Sequence, residues 1–109
     1  MRVRRRYLAL KIDSNEKIFL KDFIEAVWSA LSRLYGEYGA SKAGLTPIDY
    51  DAERGFAIIR VFHAEVEKVR AAVASITEIT NKPVAVHVIN VSGTVKALRR
   101  KLNAGFSGS

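Results

Sequence analysis

Asp49, Asp51 and Glu53 alternate along one short segment and could present three carboxylates to one side, the arrangement with which nucleases hold magnesium. On an edge strand the same alternation keeps sheet edges from pairing, and we prefer that reading. His63 has Glu65 just behind it, and His87 lies inside an apolar run. Neither has a serine and a carboxylate at a nucleophile-motif spacing, so both are read as structural. The chain has no cysteine, which removes thiolate metal sites, disulfides and cysteine nucleophiles. No catalytic residue, no metal ligand and no cofactor site is assigned to the protein itself.

Binding chemistry is better represented. Lys and Arg outnumber Asp and Glu by 18 to 11, and the excess sits at the two ends. Residues 1–11 hold Arg2, Arg4, Arg5, Arg6 and Lys11 without an acid. Residues 80–109 hold Lys82, Lys96, Arg99, Arg100 and Lys101, again without an acid. The ends carry +10 and the middle −3, which is the footprint of a protein that meets a polyanion. Ser92-Gly93-Thr94 reads as a helix cap. The turn that follows, Val95-Lys96-Ala97, has no acid to occupy the positive end of the helix, so its amides suit a phosphate. Lys96, Arg99 and Arg100 then fall on one face of that helix. Arg54-Gly55-Phe56-Ala57 fits the first four positions of the RNA-recognition signature, but Ile58 and Val61 replace its later aromatics.

The elements that must position these residues follow from periodicity. The chain has 109 residues, 49% apolar and 27% charged, which fits one globular domain. No apolar run reaches the roughly 18 residues of a membrane helix, so the reading is a soluble, cytoplasmic protein with no membrane partner. Alternation predicts strands over 5–13, 45–51, 56–62 and 84–91. Leu20, Phe23, Ile24, Val27, Trp28, Leu31, Leu34 and Tyr35 form a helical stripe that Gly36 and Gly39 should end, leaving 36–46 as a mobile connection. Val66, Val69, Val73 and Ile76 predict a second helix over 63–79, broken at Lys82-Pro83. A basic helix should cover 95–102. The order is that of an α+β, ferredoxin-like or RNA-recognition-motif-like βαββαβ sandwich with an extra C-terminal helix. The domain is 1–102, and 103–109 is a flexible tail. In this topology strand four lies beside strand one, so Arg4–Arg6 should meet the start of the terminal helix. Strands three and four read as apolar on both faces, so the second face should be covered by the terminal helix or a partner. Phe56, Ile58 and Phe62 are the candidate contact face for another chain, with 36–45 the alternative if the helix covers it.

The succession Arg5-Arg6-Tyr7-Leu8-Ala9-Leu10-Lys11, Leu34-Tyr35-Gly36-Glu37-Tyr38-Gly39, Gly55-Phe56-Ala57-Ile58-Ile59-Arg60-Val61 with His63, and Val91-Ser92-Gly93-Thr94 with Ala97-Leu98-Arg99-Arg100 resembles the archaeal ribonuclease P protein component 2 family, relatives of a small eukaryotic RNase P and MRP subunit. The resemblance spans residues 4–102. It implies a noncatalytic protein subunit of the ribonucleoprotein that removes 5′ leaders from precursor tRNA, with the active site and its magnesium on the RNA. It also implies ribonuclease P RNA, protein component 3 and other ribonuclease P subunits as partners. The doubly apolar sheet, separately, leaves a face for another chain, by self-association as a homodimer or by component 3. The RNA-binding residues expected are Arg4, Arg5, Arg6, Ser92, Gly93, Thr94, Lys96, Arg99, Arg100 and Lys101. The alternatives are a free-standing RNA-binding module of RNA-recognition type and a small enzyme built on Asp49, Asp51 and Glu53.

Overall fold

In the computed structural model, residues 4–100 are described; Lys101 and the expected tail lie outside them. The chain runs β1 (Arg5–Ser14), α1 (Leu20–Lys42), β2 (Thr46–Asp51), β3 (Phe56–Phe62), a 3-10 turn (His63–Glu65), α2 (Val66–Ala74), β4 (Glu78–Ile79) and β5 (Lys82–Ser92). A last helix, α3, begins at residue 95 and is described to residue 100. The sheet is antiparallel in the order β2-β3-β1-β5-β4, so β1 lies between β3 and β5 as the split βαβ reading requires.

One face of the sheet carries the main core. Leu8, Leu10 and Ile12 of β1 and Ala57, Ile59 and Val61 of β3 alternate onto it, and α1 and α2 cover them. Phe23, Val27, Ala30 and Leu31 of α1 are buried at helical spacing, and Val69, Ala72 and Val73 supply the stripe of α2. Tyr50 ties edge strand β2 to the start of α1. Its ring lies 5.7 Å from that of Phe23, and its hydroxyl donates to the Ile18 carbonyl at 2.6 Å. Burial first, and the Asp22 carboxylate second, push the Tyr50 phenol up to about 12.

Three expectations are corrected. Gly36 does break α1, with φ 77° and ψ 168°, but the helix resumes to Lys42 instead of giving way to a loop. Ala40 and Ala43 draw this second segment back onto the core. Gly44, at φ 64°, then closes against Phe62, whose ring would lie 2.6 Å from any Cβ placed there. Second, α2 stops at Ala74, where the Ser75 hydroxyl donates to the Ala72 carbonyl at 2.7 Å. Ile76 and Ile79 are buried at a spacing that imitates a helix, yet Ile79 belongs to a hairpin turned by Thr80 and Asn81, both at positive φ. Third, β5 is not apolar on both faces. A bulge pairs Ala9 with Asn90 and Leu10 with Val88, which makes Ile89 the extra residue. Val91 thereby joins Val84, Val86 and Val88 on the helix side, while Ala85, His87 and Ile89 are exposed.

Candidate nucleic-acid interface

The outer sheet face is where the sequence-derived site residues come together or part. Ala9 and Ile58 are buried there beneath Leu98, with Tyr7, Ile48 and Val95 packed around them. The terminal helix therefore covers the centre of this face. Ile58, 6% exposed, is occupied by Leu98 and does not offer itself to a second chain in this arrangement. Phe62 is held against Gly44, and Phe56 has the Lys11 ammonium 5.1 Å from its ring centroid. The expected three-residue contact face is thus divided among three separate environments.

The basic start of β1 reaches the place expected of it. Tyr7 pairs with Ser92 and Arg5 with Phe62, and a Cβ on Gly93 would lie 3.7 Å from the Arg6 guanidinium. The Arg4 carbonyl accepts the His63 amide at 2.7 Å, which fixes the entry of the strand. Thr94 caps α3, its hydroxyl accepting the Ala97 amide at 3.1 Å, and the Ser92 hydroxyl accepts the Thr94 amide at 3.4 Å. Two of the amides at this turn are therefore satisfied within the chain. Lys96 and Arg100 are exposed, whereas Arg99 leaves the group: α3 crosses the sheet, and the Arg99 guanidinium pairs with Asp49 of β2 at 3.2 Å. Arg60 shares the outer face with Ile58 and stands opposite Tyr7. Sequence reasoning counted it with the acidic middle, although its parity with Phe56 and Ile58 on one strand was a signal for its place.

The three acids do not act as one group. Asp49 meets Arg99, Asp51 lies 3.9 Å from the Arg54 Nε, and Glu53 pairs with Lys17. Among the described residues no cluster of three His, Cys, Asp or Glu could hold a metal ion. His87 is exposed rather than set in apolar surroundings, with its Nε2 3.2 Å from an Asp13 carboxylate oxygen. His63 is exposed at the start of the 3-10 turn. No described helix is long and apolar enough to cross a membrane.

This is a βαββαβ sandwich whose outer face is capped by its own C-terminal helix and edged with arginines. Compared with known proteins, residues 6–103 match the model of the Rpp14/Pop5 family. The chain belongs to that family. It is 38% identical over 101 residues to ribonuclease P protein component 2 of Methanococcus maripaludis, covering 93% of this chain and 76% of that one. The proteins of the same name from Methanosarcina mazei and Halorubrum lacusprofundi are 35% and 34% identical, over 93% and 100% of this chain and 85% and 71% of theirs. Among solved structures, a chain of yeast ribonuclease MRP superposes with a TM-score of 0.71 at 17% identity, covering 100% of this chain and 98% of that one, which supports the fold.

Proposed function

We propose that this protein is the component 2-type protein subunit of ribonuclease P, binding the particle's RNA through its basic edge. The match of nearly the whole chain to relatives bearing that name carries the reading. The catalytic centre and its magnesium belong to the RNA, and the protein supports the RNA with other subunits, component 3 among them. The chemistry of the site suits such a role. Arg4, Arg5 and Arg6, with Gly93 beside Arg6 and with Lys96 and Arg100 exposed along α3, offer cations to phosphates, contacts that position a backbone without reading bases. Ser92 and Thr94 hold the turn between them through the Thr94 and Ala97 amides. Lys101 would extend the same stretch of sequence. Asp49, Asp51 and Glu53 are each engaged by a cation of the chain, an arrangement suited to holding α3 and the β2–β3 hairpin.

Assembly tests the reading. Mixed with ribonuclease P RNA and component 3 of its own organism, the chain should enter one complex on a native gel and co-sediment with it. Exclusion from that complex under all salt conditions would overturn the proposal.

A further inference from the structure

Among the described residues, α3 covers only part of the outer face. Beside it a cleft of about 470 Å³ opens between the β2–β3 hairpin and Arg99. Phe56 and Ile58 give it apolar lining, and Asp49, Asp51 and Glu53 line it together with Arg54 and Arg99. The volume falls within the roughly 300–1,000 Å³ of small-molecule clefts, and an apolar floor with a few polar groups around it is what such clefts share. Phe56 pairs with Asp51 on the β2 side and with Lys11 on the β1 side. The Lys11 ammonium reaches the ring from β1, while the cleft is built by β2, the hairpin and α3.

We propose that this cleft receives one unstacked nucleobase of RNA, stacked on the Phe56 ring with Arg54 or Arg99 beside it. Unpaired bases are held in this way, on aromatic rings and guanidinium planes, wherever a single strand or loop is recognised. A phosphate alone is not what the cleft favours, because Asp49, Asp51 and Glu53 line it together with only two arginines. The cleft thus carries a slight acidic excess, whereas the start of β1 is purely basic, so the two places divide the work between base and backbone. Phe56 occupies the third position of the Arg54-Gly55-Phe56-Ala57 signature, and α3 covers Ile58 at the fifth. Of the two positions, Phe56 is the aromatic one at the cleft, and Ile58 beside it supplies aliphatic lining beneath Leu98.

The inference rests on the RNA-binding reading above, and the test separates the two. The full-length chain, isotope-labelled at phenylalanine and arginine, is titrated with a pentaribonucleotide and with an abasic ribose-phosphate oligomer of the same length. The Phe56 ring resonances should move with the first and stay still with the second, while the Arg4–Arg6 signals respond to both. Phe56→Leu keeps an apolar floor and should weaken pentaribonucleotide binding about tenfold, within the range of one lost stack. Arg54→Ala, an exposed substitution, should weaken it in the same direction without altering the fold. Equal Phe56 shifts with the abasic oligomer, or full affinity in Phe56→Leu, would overturn the cleft while leaving the basic edge standing. Binding of neither oligomer, nor of ribonuclease P RNA, would overturn both.

Discussion

Replacing Leu98 by Ala isolates the docking of α3 from the stability of the main core. Leu98 is fully buried, but among the described residues its cluster is small: Ala9 and Ile58 beneath it, with Tyr7, Ile48 and Val95 at the margin. Leu→Ala in a core removes about 2–5 kcal/mol, and a site with so few neighbours that can relax belongs at the low end, about 2–3 kcal/mol. The other attachment, Arg99 to Asp49, joins two half-exposed groups and adds at most about 1 kcal/mol. Leu98→Ala should therefore release α3 locally rather than unfold the domain. At roughly 1.4 kcal/mol per tenfold, amide exchange at Ala97 and Leu98 should quicken by about 30- to 150-fold, with β1 and β3 amides changing far less. Leu8→Ala, in the main core, serves as the contrast and should lower protection everywhere. Native-state hydrogen exchange followed by NMR reads both. Uniform loss of protection in Leu98→Ala, equal to that of Leu8→Ala, would refute the separate docking of α3.

Four further outcomes are expected. Gly44→Ala places a methyl 2.6 Å from the Phe62 ring at a left-handed backbone position and should cost about 2 kcal/mol or more, read as a fall of roughly 10 °C in Tm; an unchanged Tm would contradict the close approach. Tyr50 is a neutral acid whose folded pKa lies above its unfolded value of 10, so its stabilisation is complete below pH 10 and is lost as pH rises toward 12. In Tyr50→Phe the chain should be less stable at pH 8 for want of the bond to Ile18, yet its denaturation midpoint should fall less steeply between pH 9 and 11 than the wild type's. Neutralising Arg4, Arg5 and Arg6 should flatten the salt dependence of RNA binding by about one unit of slope per lost phosphate contact, whereas neutralising Lys17, Lys21 and Lys68 should leave it nearly unchanged. Arg99→Ala should flatten it less than the β1 set, because Arg99 is already paired.

Strand order, the hairpin and the meeting of Arg6 with Gly93 were legible because alternation in β1 and β3 is regular and a split βαβ topology leaves few choices. The same regularity misled where a local irregularity intervened. Nothing in Val86-His87-Val88-Ile89 marks the bulge that sends Val91 to the helix side, since either parity offers an apolar residue. Gly36 marks a break that composition signals, but the helix beyond it is held by Ala40 and Ala43 through tertiary packing that composition does not signal. Helical spacing alone groups Arg99 with Lys96 and Arg100; its partner Asp49 is 50 residues away and becomes a neighbour only once α3 crosses the sheet. Asp49 and Asp51 are legible as edge charges of β2, whereas Glu53 lies past the strand in the hairpin turn, and the structure adds the cation that engages each.

Cleavage of precursor tRNA by a reconstituted particle tests the central claim most directly. Ribonuclease P RNA, component 3 and this chain are combined while magnesium is lowered until the RNA alone no longer removes the 5′ leader. Cleavage should return when both proteins are present, persist when Asp49, Asp51 and Glu53 are changed to Ala in a chain that still folds, and be absent with the protein alone. Metal-dependent cleavage by the purified protein that disappears with those three substitutions, or a particle indifferent to this subunit, would contradict the account.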